Sequence, residues 1–508
     1  MKTAVESLYV TPIGPGATET AESTNASQPP SRADETKAKQ SPFKGYSSLA
    51  PVHVKSFSSL LATAEHTGSG EIRTTNFRGI LNLFFIILFV LNVRLVVENI
   101  MRYGPLLELP RIGLFDSPLI FLGYLLVLSL PYLSYIAERY VAIRSRVVAN
   151  IMETILVVVT LVLPYVIVEK SHIHPLRSLF LLMASVVYAM KIGSYWHCCA
   201  NLSEMAKSGD LKTLTSSKKD SLSDIERETI TAVGQYPECL SAKQMYMFVA
   251  YPTLVFQFSY PRTEAIRLRL VVRYLVEFAF CFFLQYILVE QYITPILSNT
   301  IKGINDRIRD RQDTLSLTWF LLERFLKLTI PILYIWLLMF AELFHCWLNL
   351  FAELTRFGDR RFYLDWWNAV SIRDYWQKWN MPVHNWLVRH LYKPMRRKGY
   401  SGHLAGFLIF ILSGVVHEYL IVTPIGVSWT GGFGIVLLGF VLQIPLVSLT
   451  DSEFVKKRPT LGNIMFWVTW CFTGQPLAVL IYFVAASSPT VITKLFSWLL
   501  YGSVHDEL

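Results

Sequence analysis

LAGFLIFILSGVVHEYLIVT, residues Leu404 to Thr423, is an apolar run with one histidine and one glutamate, His417 and Glu418, side by side near its far end. About 20 helical residues cross a hydrocarbon core of about 30 Å, so this stretch predicts a membrane helix. A titratable side chain at membrane depth costs free energy unless it pairs or faces a polar cavity, which makes it a functional candidate by default.

The rest of the 508-residue chain has the same character. It is 53% hydrophobic and 17% charged, against roughly 25% charged residues in soluble domains. Its 13 Trp and 25 Tyr suit side chains with one apolar and one wet end, as at bilayer interfaces. The net charge of +10 does not indicate nucleic acid, because the basic residues flank apolar spans instead of forming one patch. Anionic headgroups and topology account for them. The six cysteines, Cys198, Cys199, Cys239, Cys281, Cys346 and Cys471, show no CxxC spacing and read as free thiols, with no metal site.

Apolar runs of crossing length predict nine spans: Gly79–Ile100, Ser117–Ile136, Val147–Val168, Leu176–Tyr195, Leu270–Leu297, Trp319–Asn349, Leu404–Thr423, Phe433–Leu449 and Asn463–Val484. The fold class is therefore all-α and polytopic. Residues 1–70 are rich in Ser, Thr, Ala, Pro and charge and read as a disordered cytosolic tail. Residues 71–485 make the membrane domain, and 486–508 a luminal segment. With the N-terminus in the cytosol, the connections 137–146, 196–269, 350–403 and 450–462 are cytosolic, and each carries several Lys or Arg. That agrees with the positive-inside rule. The exception is 298–318, where Lys302, Arg307, Arg309 and Arg311 lie among Asp306, Asp310 and Asp313. An odd number of crossings puts His505-Asp506-Glu507-Leu508 in the lumen, where HDEL serves as an address for the endoplasmic reticulum.

His417 has an unperturbed pKa near ~6.5 and so can accept and return a proton near neutral pH. Glu418 lies about 100° further around the helix, so the two do not share one groove equally. Ser413, one turn earlier, shares the histidine's face. Upstream, FYLDWWN (Phe362–Asn368) and WQKWNMPVHNW (Trp376–Trp386) predict helices along the cytosolic interface. Amide and imidazole donors, Asn368, Gln377, Asn380 and His384, lie inside this aromatic stripe, and Arg389, Lys393, Arg396, Arg397 and Lys398 follow. Such a stripe suits a ligand with an anionic head and a long apolar tail.

FYLDWWN, with Phe362, Tyr363, Asp365, Trp366, Trp367 and Asn368, resembles the signature of the sterol and diacylglycerol branch of the membrane-bound O-acyltransferases. The run from Trp376 to Pro394, SGVVHEYL around His417, NFRGILN (Asn76–Asn82), NVRLVVENIMRYG (Asn92–Gly104), QIP at Gln443 and GQP at Gly474 are similar to the type 1 acyl-CoA:diacylglycerol O-acyltransferases. The likeness runs from about residue 70 to 485. It implies transfer of a fatty acyl group from acyl-CoA, a substrate, to 1,2-diacylglycerol in the endoplasmic reticulum membrane, with no cofactor. It also implies a homodimer or homotetramer surrounded by membrane lipids. By the same resemblance His417 is the catalytic base and Asn380 a catalytic polar group, with Ser413, Glu418, Gln443 and Gln475 lining the reaction chamber. Trp376, Gln377, Trp379, His384 and Tyr392 carry over as acyl-CoA contacts. The linker GYSGHLAG is poorer in basic residues than that family's pattern, so Arg396, Arg397 and Lys398 are assigned to the CoA phosphates instead. A sterol acyltransferase would share FYLDWWN and the histidine; a transporter would also bury polar groups, but no inverted repeat is visible.

His172 and His174 form an HxH pair at a turn, too few ligands for a metal. Asn25 and Asn201 head glycosylation patterns on the cytosolic side. Arg94 and Glu98, spaced i and i+4, are expected to pair.

Overall fold

The computed structural model describes residues 78–106, 118–171, 175–209, 223–310, 314–426 and 434–487. The tail over 1–70, His172 and His174, Asn25 and the HDEL tetrapeptide lie outside the described residues. Two units divide the chain. One contains α1 (Arg78–Tyr103), which ends at Gly104 in the left-handed region, φ 70°. Arg94 and Glu98 pair on its exposed surface at 3.8 Å.

The second unit begins at Pro105 and is all-α. Its long helices are α2 (Pro118–Val141), α3 (Arg146–Ser171) and α4 (Pro175–Ser208). After the short α5 (Asp224–Val233) and α6 (Ala242–Ala250) come α7 (Leu268–Arg309) and α8 (Leu315–Leu354). Two seven-residue helices follow, α9 (Ile372–Lys378) and α10 (Met381–Leu387). The last three are α11 (Gly402–Ile425), α12 (Ile435–Thr450) and α13 (Pro459–Ser487). The fold is a polytopic membrane bundle, and seven of the nine expected spans are matched by full-length helices among the described residues. Among the described residues seven helices are long and apolar enough to cross: α2, α3, α4, α7, α8, α11 and α13. The first expected span, Gly79–Ile100, falls within α1, a continuous helix of 26 residues. The eighth falls in α12, whose 16 residues rise about 24 Å, short of the ~30 Å core.

Several helices widen into π-type turns, and three of these precede a proline by two positions. Val289–Ile293 precedes Pro295, Val388–Tyr392 precedes Pro394, and Trp467–Gly474 precedes Pro476. Proline has no N–H and its ring clashes with the carbonyl four residues back; the wider turn relieves that clash without ending the helix.

α2, α3 and α4 pack on one another, and α11 packs on α4 and α12; α8 sits between α7 and α13. Several buried polar groups in these contacts are paired, as low dielectric favours. Ser134 Oγ meets both Glu153 carboxyl oxygens at 2.8 and 2.9 Å. Lys191 Nζ donates to the carbonyls of Phe248, Val249 and Tyr251 at 2.7 to 2.9 Å. It thereby supplies donors to the otherwise orphaned last turn of α6.

The segment from Phe362 to Trp379 is not an interfacial belt. Trp366 is 2% exposed and packs with Trp336, Phe340, Phe344, Tyr375 and Phe466 in one aromatic core. The signature strip folds back on the residues before α10: Leu364 N–H donates to Lys378 O at 2.9 Å, and Met381 N–H to Phe362 O at 3.0 Å. A belt would need long amphipathic helices; these are seven residues each, too short to hold a stripe toward lipid. Burying such aromatics stabilises by about 1.5–3 kcal/mol each, with edge-to-face contacts adding to that.

Candidate active site

α11 starts at Ser401, whose hydroxyl accepts from Leu404 N–H at 3.2 Å, and ends at Gly426, φ 71°. Between these caps an unbroken apolar run places His417 two turns above the helix's end. The ring's Nδ1 lies 2.7 Å from Ser413 O. A carbonyl only accepts, so Nδ1 carries the hydrogen and Nε2 the lone pair. Ser413, expected as polar lining, orients the imidazole through its backbone carbonyl. The remaining edge of the ring is free to take a proton.

Phe440 of α12 stands against that imidazole with centroids 5.1 Å apart. Trp376 of α9 then contacts Phe440 at 5.6 Å, Phe410 at 6.0 Å and Trp470 at 5.4 Å. Its indole Nε1 donates to Gln443 Oε1 at 3.2 Å, and Gln443 is buried. The structure thus brings together His417, Trp376 and Gln443, expected from three separate stretches of sequence.

Glu418 is placed differently. Its carboxyl is fully buried and accepts from Tyr482 Oη at 3.0 Å and from Gly434 N–H at 2.7 Å. It fastens α11 to α13 and to the start of α12, a strut beside the histidine more than a lining group. Gln475 sits seven residues before Tyr482, two turns along the same face of α13. Asn380 caps α10: its Oδ1 accepts from Val383 N–H at 3.1 Å, which leaves Nδ2 as the end able to donate.

The expected acyl-CoA contacts spread along α9, α10 and the turn beyond. Gln377, Trp379 and His384 are half-buried, and burial holds the His384 imidazole below the usual histidine range. Trp379 stacks on Trp336 at 4.8 Å. Tyr392 packs against Ala405 and Ile409. These begin the fourfold-spaced ridge Ala405, Ile409, Ser413, His417, so Tyr392 contacts the same ridge about 12 Å below the base. Arg396, Arg397 and Lys398 are exposed, with Arg396 donating to Tyr400 O at 2.9 Å. In the signature strip Tyr363 Oη meets His345 Nδ1 at 2.9 Å, and Asp365 meets Lys378 at 3.2 Å. Trp367 is exposed, and Asn368 N–H donates to Asp365 O at 3.0 Å. Among the described residues no group of three or more His, Cys, Asp or Glu is placed to hold a metal ion.

One cluster had no visible signal in the sequence. His390 joins α4 through Ser194 Oγ at 2.7 Å and His197 Nδ1 at 2.9 Å, while Ser194 Oγ accepts from Phe256 N–H at 2.8 Å. Burial first, then His197 and Arg389, push the His390 imidazole down to about 3. Trp386 Nε1 adds a bond to Met190 O at 2.7 Å. Together they dock α10 and the following turn on α4.

The membrane-bound O-acyltransferase family matches residues 161–484, a stretch that holds the histidine, its aromatic neighbours and both glutamines. Diacylglycerol O-acyltransferase 1 of Homo sapiens is 34% identical over 427 residues, 82% of this chain and 81% of its own. Diacylglycerol O-acyltransferase 1C of Glycine max is 32% identical over 424 residues, 82% of this chain and 76% of its own. Diacylglycerol O-acyltransferase 1 of Arabidopsis thaliana is 32% identical over 415 residues, 80% and 72% respectively. Matched over more than half its length, and with such relatives, the chain belongs to the membrane-bound O-acyltransferase family.

Proposed function

We propose that this protein transfers a fatty acyl group from acyl-CoA to the free hydroxyl of 1,2-diacylglycerol, giving triacylglycerol and CoA. The likeness to relatives named diacylglycerol O-acyltransferase 1 supports the substrate pair. The mechanism rests on one observation, the 2.7 Å contact of His417 Nδ1 with Ser413 O, which leaves Nε2 as a lone-pair donor. His417 Nε2 takes the hydroxyl proton as the oxygen attacks the thioester carbonyl. The C–O bond forms, the C–S bond breaks, and the proton passes to the CoA thiolate. Attack is direct, without an acyl-enzyme. Asn380 Nδ2 or the Gln475 amide stabilises the oxyanion. Thioester-to-ester transfer is already downhill, so no metal or nucleotide is required. A positioned base contributes a factor of about 10² to 10⁴, and orientation and preorganised donors supply the rest. The same reading puts the enzyme in the endoplasmic reticulum, with α9 and α10 on the cytosolic side, where Lys and Arg concentrate.

The test is labelled acyl-CoA supplied to the purified full-length protein with diacylglycerol or a sterol. Label is expected in triacylglycerol, and His417→Ala is expected to reduce it by about 10² to 10⁴. Undiminished transfer by His417→Ala would remove the base, label in steryl ester alone would reassign the acceptor, and an acylated protein trapped with acyl-CoA alone would replace direct attack.

A further inference from the structure

The bond from Nδ1 to Ser413 O lies within α11, so it turns with the helix and does not fix where Nε2 points relative to a substrate. Contacts from α11 to other helices must do that. Glu418 supplies one set, through Tyr482 Oη and Gly434 N–H. The next residue, Tyr419, supplies another and takes no part in the chemistry described above. Its Oη donates to Leu161 O of α3 at 2.8 Å and stands 3.2 Å from Ser185 Oγ of α4. Ser185 is fully buried and is itself held by its 2.7 Å bond to Leu182 O. Around this hydroxyl, Tyr419 and Leu420 pack against Ile167, Leu181 and Leu182, where α3 and α4 meet.

Successive residues stand about 100° apart around a helix, so Glu418 and Tyr419 leave α11 in directions about 100° apart, one toward α13 and one toward α3 and α4. A single tether lets a helix pivot about it, whereas two at a wide angle fix its azimuth. The tolerance is small. With side chains a helix has a radius of about 5–6 Å, so a turn of about 10° carries the edge of the imidazole about 1 Å. A misplacement of that size costs about 10² in rate. We propose that Tyr419 is a positioning residue for acyl transfer: its hydrogen bond to Leu161 O fixes the rotation of α11 and so aims His417 Nε2 at the reacting hydroxyl. The role rests on His417 being the base. Tyr419 itself lies about 200° around the helix from the imidazole and has no part in holding either substrate.

The experiment measures kcat and KM on monodisperse full-length protein with labelled acyl-CoA and diacylglycerol. Tyr419→Phe keeps the ring and removes the hydroxyl. Its kcat is expected to fall about tenfold, with KM for both substrates staying within about twofold. Placing 4-aminophenylalanine at 419, which returns an N–H donor to the same spot, should restore most of kcat. Tyr419→Phe combined with Tyr482→Phe is expected to lose more than the product of the two single losses, because both tethers of one rotation are weakened. If Tyr419→Phe does not fold, Ser185→Val, which sets methyl groups against the hydroxyl, should lower kcat about threefold at unchanged KM. An unchanged kcat per folded protein in these variants, even with a lower melting temperature, reduces Tyr419 to a packing residue and overturns the role. A rise in KM alone does the same. Full transfer by His417→Ala removes the base and the role together, whereas an inactive His417→Ala beside an unimpaired Tyr419→Phe removes the positioning role alone.

Discussion

The hydrogen bond from Trp376 Nε1 to Gln443 Oε1 links the aromatic core to α12, the helix whose Phe440 packs on His417, and it can be tested by a double-mutant cycle. Trp376→Phe keeps most of the ring contacts but leaves the buried Gln443 oxygen without its donor. Gln443→Met keeps the volume but leaves the indole N–H unpaired. An unmade bond in a dry site costs about 1–3 kcal/mol, whereas removing both partners together is nearly neutral. Gln443 lies three residues from Phe440, so one turn of α12 carries both the acceptor and the ring packed on His417. A disturbed bond is therefore expected to shift Phe440 and to slow transfer about tenfold, 1.4 kcal/mol being a decade in rate. The assay is kcat/KM for acyl transfer in wild type, both singles and the double, each converted to a free energy. The expected coupling is about 1–2 kcal/mol, the double losing clearly less than the two singles together. Strictly additive losses would show that the 3.2 Å contact does not connect the two elements, and the positioning argument would fall.

Other perturbations follow from the same structure. Tyr482→Phe strips one donor from the Glu418 carboxyl and is expected to cost about 1–3 kcal/mol in thermal unfolding; an unchanged melting temperature would mean that Glu418 is not a strut. Gly462→Ala drives a Cβ into the carbonyl oxygen of Val370, which should cost about 1–3 kcal/mol and loosen the strip beside Trp366, read as lower yield of folded protein. His390 titrates in the folded protein far below its unfolded value near ~6.5. Its contribution is thus complete above pH 6.5 and is lost as pH falls toward about 3, by about 1 kcal/mol for the first unit after allowing for the ring's partial exposure. His390→Gln should flatten the acid side of the unfolding-midpoint profile between pH 7 and 5.5, and an identical slope would place the sensitivity elsewhere.

The sequence carried its information in contiguous pattern. Apolar length located seven helices, and the lone histidine in α11 stood out because nothing near it in sequence offered a partner. Phe433–Leu449 marks the position of α12, whose 16 described residues are fewer than a straight crossing needs. The aromatic strip misled. Trp366 and Trp376 have the composition of an interface, and only their partners on α8, α12 and α13, distant in sequence, turn them inward. Long-range polar pairs were equally invisible. Glu418 finds Tyr482 64 residues on, and His390 finds Ser194 196 residues back; no periodicity encodes such separations.

Lys191 has a consequence for how α6 is held. The nine residues of α6 are too few to persist alone in water, and the terminal carbonyls of that helix wait for an ammonium carried on a hydrophobic segment made earlier. Those carbonyls gain their donor only where α4 is in place, so the order of residues 242–251 is tied to the seating of a helix more than thirty residues upstream.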